Sequence, residues 1–184
     1  FSSNSNWSYD WRQHVVITNS NFQTAVDLWF SNQADANATY GHISNWNTSA
    51  VTDMSEAFKN RATFDQNISG WNVSSVTTME RIFFGATSFN QDIGDWNVSA
   101  VANMHDLFWQ AGAFNQDIGN WDVSSVTNME KAFFEATSFN QDIGAWNVSS
   151  VTNMLGLFNG ASGFDQDVGD WNTSAVSNIC LLYT

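Results

Sequence analysis

The pattern with most chemical content is N-x-[ST], which occurs at Asn6, Asn37, Asn47, Asn67, Asn72, Asn97, Asn147 and Asn172. Sequons at this density, all without proline, read as acceptors for N-glycosylation in a secreted glycoprotein. A second reading competes. Asn47, Asn72, Asn97, Asn147 and Asn172 each follow a tryptophan directly, Asp122 stands in the same place, and every one of these positions has a serine two residues on. Asn or Asp followed by Ser at that spacing is also what Asx-type turns select. Sugars on neighbouring coils about 4.8 Å apart would crowd one another, so Asn6, Asn37 and Asn67, outside that column, are the better individual sites.

A second polar row runs Asn67, Asp92, Asp117, Asp142 and Asp167, each preceded by glutamine. Like carboxylates in adjacent coils repel unless backbone N–H groups or cations hold them. The four aspartates are candidate calcium ligands, but their spacing fits neither an EF-hand nor a nonapeptide β-roll, and backbone capping is the favoured reading. His14, His42 and His105 are isolated, and no phosphate loop or nucleophile elbow is present. A repeating acidic column offers no pair of differently tuned carboxylates, so the chain reads as a non-enzyme without a cofactor.

With 18 acidic against 5 basic residues and a net charge of −13, nucleic acid and anionic membranes are poor partners. Solvent, cations or basic partners suit such a surface better. No apolar run approaches the length of a membrane span. The start at Phe1 suggests a processed or trimmed N-terminus. The lone Cys180 rules out an internal disulfide, leaving a packed apolar residue or an intermolecular bridge.

The elements that must carry these residues come from a tandem repeat. Trp46, Trp71, Trp96, Trp121, Trp146 and Trp171 stand 25 residues apart, with valine five, methionine eight and phenylalanine twelve and eighteen residues later in phase. W-N-V-S-S-V suits a short extended segment. Thr127 to Glu130 form a T-x-x-E capping box, and Met129, Phe133 and Ala136 fall on one helical face, so the spacing predicts a short helix there. F-N-Q-D-I-G turns the chain back. The predicted fold is an α/β repeat solenoid, a leucine-rich-repeat-like right-handed stack of short parallel strands and helices.

Two domains follow: residues 1–45, where Phe22, Ala25, Val26, Trp29 and Phe30 predict an amphipathic capping helix, and residues 46–184, the tandem repeat with an incomplete last coil. The apolar stretch Ile179, Cys180, Leu181, Leu182 and Tyr183 allows three readings. These are a longer chain with further repeats, a short cap, and end-to-end stacking into a filament.

The phrases W-N-V-S-S-V-T-N-M and F-N-Q-D-I-G, with the lead-ins A-V-D-L-W-F and Y-G-H-I-S-N-W-N-T-S, resemble the BspA-like surface-protein repeats of the mycoplasma-lipoprotein type, from about Asn21 to Asn178. That resemblance implies display at a cell or particle surface, with adhesion or self-association as the role. The expectation is an extracellular, non-enzymatic protein acting in adhesion or protein–protein assembly, with a glycosylated filament or coat subunit as one form of it. The alternative is a carbohydrate- or cation-binding module of a larger secreted protein.

Overall fold

A computed structural model describes residues 14–178. Its helices are α1 (Phe22–Ser31), α2 (Gln33–Tyr40) and a 3-10 turn at Ile43–Asn45, all ahead of the repeats. Helix α1 forms where the apolar spacing predicts a helix, burying Phe22, Ala25, Val26 and Trp29. Helix α2 has no apolar stripe to reveal it. Asn32 starts it, accepting from the Asp35 N–H at 3.3 Å.

The predicted α/β solenoid of parallel strands and helices does not form. Among the described residues there is no strand, and no helix lies beyond Asn45. The chain instead makes coils of turns, joined to one another by hydrogen bonds between residues 24 or 25 apart. Strand pairing is reduced to isolated parallel bridges, one residue per coil, along Asp53, Thr78, Asn103, Asn128, Asn153 and Asn178.

The backbone shows why the expected helix fails. Lys131 and Glu135, inside the segment 129–136, have φ of 51° and 53°. A right-handed helix cannot pass through either residue. Equivalent positions repeat the conformation: Glu56 and Asn60, Arg81 and Gly85, Asp106 and Gln110, Gly156 and Gly160. Each such residue swings its amide out of the coil. Lys131, Phe133 and Glu135 donate to the carbonyls of Leu155, Leu157 and Asn159 in the next coil, while the residues between them close i to i−3 turns.

The capping box dissolves for the same reason. Thr127 Oγ1 donates to Ala102 O of the previous coil, and the Glu130 N–H is accepted by Asn128 Oδ1. In W-D-V-S-S-V, a turn from Val123 O to the Val126 N–H replaces the expected strand.

Glu135 occupies a column where Gly85 and Gly160 stand in other coils. The left-handed conformation costs a non-glycine residue about 1–2 kcal/mol, and glycine's extra unfolded-state entropy returns part of any gain. Glu135→Gly is therefore expected to stabilise the chain by about 0.5–1 kcal/mol, read as a higher urea midpoint at unchanged slope.

The core is aromatic. Phe58, Phe83, Phe108, Phe133 and Phe158 stack along the axis at 5.4–5.7 Å between centroids. Phe64, Phe89, Phe114, Phe139 and Phe164 make a second column at 5.8–6.0 Å. Within a coil the two rings face each other, as Phe108 and Phe114 do at 4.0 Å. Each repeat indole from Trp71 onward also ties coils together, its Nε1 donating to the carbonyl of the isoleucine 28 residues earlier, Ile43, Ile68, Ile93, Ile118 or Ile143.

Helix α1 lies across the first coil. Phe30 meets Phe58 and Phe64 edge-on at 6.3 and 5.7 Å, and Phe22 meets Trp71 at 5.7 Å. No helix of the described residues is long and apolar enough to cross a membrane.

Candidate functional site

The asparagines after the tryptophans lie in an exposed row and cap their own turns. Asn72 Oδ1 accepts from the Ser74 N–H at 3.0 Å and from Ser74 Oγ at 2.7 Å. Asn97 and Asn147 repeat both bonds, and Asn47 and Asn172 repeat the backbone one. Asp122 accepts from the Ser124 N–H at 3.0 Å, and hydrogen bonds from Ser124 hold its carboxyl below the usual range. Asn67 accepts from Ser69 in the same way. Asn37 sits on α2, half-buried, with Oδ1 unpartnered. Asn6 lies outside the described residues, as do Ile179, Cys180, Leu181, Leu182 and Tyr183.

The aspartate row is spread by local capping. Asp92, Asp117, Asp142 and Asp167 each accept from the N–H of the glycine two residues on, at 2.8–3.0 Å. Among the described residues no group of three or more His, Cys, Asp or Glu is placed to hold a metal ion. The preceding glutamines join a ladder. Asn90 Oδ1 accepts from the Asn115 N–H and from Gln116 Nε2 of the next coil, and Asp65, Asn115 and Asn140 do the same in the other coils.

These rows are nearly uniform from coil to coil. A different face is not. Nine, ten, thirteen and fourteen residues after the tryptophan, the first coil has Ser55, Glu56, Lys59 and Asn60, and the second has Glu80, Arg81, Phe84 and Gly85. The third has His105, Asp106, Trp109 and Gln110, the fourth Glu130, Lys131, Phe134 and Glu135, and the fifth Leu155, Gly156, Asn159 and Gly160. The constant columns alone do not reveal this face. The signal was in the sequence, as four columns that change chemistry at almost every step.

Contacts between coils show that these residues share one side. Phe84, Trp109 and Phe134 form a half-exposed row with centroids 5.3 and 4.3 Å apart, and Lys131 Nζ lies 5.0 Å over the Trp109 ring. Arg81 Nε donates to Asp106 Oδ2 at 2.9 Å and its NH1 lies 3.1 Å from Glu80 and 3.4 Å from Glu56. His105 stands between Glu80 and Asp106, with Nε2 3.2 Å from Asp106 Oδ1.

Asp106 is buried at 3 % exposure, and its hydrogen bond raises the Arg81 guanidinium pKa above the ordinary value. The Lys59 ammonium, with Arg81 beside it, holds the Glu56 carboxyl below its usual range. Arg81→Met leaves a buried carboxylate without its main partner. The expected loss is about 2 kcal/mol, less than for a fully enclosed pair because Arg81 is 32 % exposed. Urea unfolding of Arg81→Met beside Arg81→Met/Asp106→Leu checks it, the double variant regaining part of the loss.

The family described as "Mycoplasma protein of unknown function, DUF285" matches residues 24–131 and 112–184. The chain belongs to that family. It is a repeat protein of the mycoplasma type, and both matches span the coils just described. No curated protein and no solved structure matches the chain. The DUF285 description names no activity, so the function has to be argued from the surface.

Proposed function

We propose that this chain is an extracellular, non-enzymatic surface protein of the BspA-like kind, acting in adhesion or protein–protein assembly through its variable face. The supporting observation is that four neighbouring columns change chemistry at almost every coil around one row of half-exposed aromatics. A repeat that changes on such a face while its core columns stay constant keeps its scaffold while altering what it contacts. Lys59, Arg61, Arg81 and Lys131, the described cations, lie on or beside this face, whereas the Asp rows lie elsewhere.

A protein is the partner class that this face suits. Trp109 flanked by phenylalanines and rimmed by Arg81, Lys131, Gln110 and Glu135 has the composition of an interface hot spot with a polar rim. Trp109 lies between Phe84 and Phe134, which occupy its faces and leave it poorly placed to stack on a sugar ring. Glycosylation belongs to the same proposal: the capped Asn72, Asn97 and Asn147 turn Oδ1 inward and leave Nδ2 to solvent. Unchanged intact mass of native material after glycosidase treatment would remove that part.

The test is attachment of beads coated with the chain to cell monolayers. Retention that falls at least about tenfold with Trp109→Ala, the size expected of a hot-spot residue, while the thermal midpoint holds, is the expected result. Equal retention by wild type and variant contradicts the proposal.

A further inference from the structure

The variable face carries an apolar strip of limited length. Phe84, Trp109 and Phe134 stand in one column of the second, third and fourth coils, and the same column holds Lys59 in the first coil and Asn159 in the fifth. All three rings are half-exposed, with centroids 5.3 and then 4.3 Å apart. A partner that covers the strip has to supply three apolar side chains at matching intervals.

Helical spacing meets that requirement. Along an α-helix, residues i, i+4 and i+7 share a face and advance by about 6.0 and then 4.5 Å, which overshoots the row of rings by only about 1 Å in total. Alternate residues of an extended segment advance by about 6.7 Å at each step and overshoot the third ring by about 4 Å. One helical turn therefore keeps pace with one coil, and an extended chain loses register.

Charge narrows the class further. Arg81 alone faces three carboxylates, Glu56, Glu80 and Asp106, at 3.4, 3.1 and 2.9 Å. Lys131 lies 3.5 Å from Glu130, and Glu135 accepts from the neutral Gln110 amide at 2.8 Å. The strip is bordered by more carboxylates than cations, in a chain of net charge −13. Lysine or arginine beside the partner's apolar stripe complements that border.

We propose that the variable face receives an amphipathic helix of a protein partner, with large apolar residues at i, i+4 and i+7 on Phe84, Trp109 and Phe134 and basic residues flanking them. The inference rests on the reading of this face as the contact surface and specifies what it contacts. Anchors on successive turns of one helix are a recurring mode of recognition, in which the apolar stripe supplies affinity and the flanking charges supply selectivity.

The probe is an alanine-based peptide of about 16 residues, long enough to hold a helix, with leucine at i, i+4 and i+7 and lysines on either side of that stripe. It is titrated into the full chain labelled with nitrogen-15. Saturable shifts of the Trp109 indole N–H and of the Phe84 and Phe134 amides are expected. Proline in place of a central alanine breaks the helix while keeping every leucine and lysine, and is expected to weaken binding by about tenfold or more. Glutamates in place of the lysines are expected to weaken it as well, and Trp109→Ala is expected to abolish it.

No saturable shift up to about 2 mM peptide, or equal binding of the proline or the glutamate peptide, overturns the proposal whether or not Trp109→Ala folds. Shifts confined to Asp92, Asp117, Asp142 and Asp167 overturn it too. Cell retention that depends on Trp109 while the lysine peptide fails to bind would remove this inference and leave the adhesion reading standing.

Discussion

Phe108→Ala is expected to lower the unfolding free energy by about 3–5 kcal/mol. Phe108 has no exposed surface and touches four aromatic neighbours, Phe83, Phe133, Phe114 and Trp121, at 5.4, 5.5, 4.0 and 6.4 Å. Truncation removes the transfer energy of a ring and leaves a hole in the middle of a column. The walls cannot collapse into it, since each is pinned by main-chain bonds between coils. Two further rings of the column lie on each side, Phe58 and Phe83 before it and Phe133 and Phe158 after, so the deletion interrupts the stack as well as local packing. In a chain stabilised coil against coil, a break in the third of five complete coils divides the cooperative unit. Urea unfolding followed by fluorescence and by far-ultraviolet dichroism is expected to show the lower midpoint. It should also show the two signals separating, where they coincide in the wild type.

The second large effect is expected from adding a single methyl group. Gly119 packs so closely on the next coil that an alanine Cβ would lie 2.6 Å from the carbonyl oxygen of Asp142. That oxygen is backbone and has little freedom to retreat. Gly94 and Gly144 face the next coil at 2.5 and 2.7 Å, so the close approach recurs from the second coil to the fourth, while the first coil has Ser69 in this column. Gly119→Ala must push two coils apart or tilt them, with an expected cost of about 2–3 kcal/mol. Gly70 provides the control, because a Cβ there meets nothing within 4 Å. Gly70→Ala is expected to stay within about 0.5 kcal/mol of wild type. A thermal midpoint lowered equally by both variants would contradict the close-approach argument.

These expectations show which parts of the molecule were legible in sequence. The core columns were: tryptophan, valine, methionine and both phenylalanines recur in phase, and the structure buries Trp121, Val126, Met129, Phe133 and Phe139 to 3 % exposure or less. Helix α1 was legible from its apolar face. The interior of the repeat was misread because local grammar and long-range bonding compete over the same residues. Met129, Phe133 and Ala136 do share an inward face, as a helix would place them, but they reach it through turns with left-handed corners at Lys131 and Glu135.

A clue to those corners existed. Gly85, Gly156 and Gly160 fall in the two columns concerned, as does Asn60, and these are the residue types that take positive φ at least cost. In the fourth coil Lys131 and Glu135 stand in these columns and conceal it. The bonds that decide the matter join residues 24 and 25 apart, and a window of one helix length does not contain them.

The candidate site was legible too, but through difference rather than likeness. Constant columns hold the coils together: Asn72, Asp92 and Gln116 spend their polar groups on turns and ladders. Changing columns place Arg81, Trp109, Lys131 and their neighbours where they contact one another outside the core.

On the proposed function, the changing face and not the uniform one makes contact with a partner. Bead retention on cell monolayers tests it most directly when two triple variants of similar stability are compared. One carries Phe84→Ser, Trp109→Ser and Phe134→Ser on the changing face; the other carries Ser75→Lys, Ser125→Lys and Ser150→Lys at exposed positions of the uniform face. Loss of retention with the aromatic triple and wild-type retention with the lysine triple are expected. Retention kept by the aromatic triple and lost by the lysine triple would contradict it.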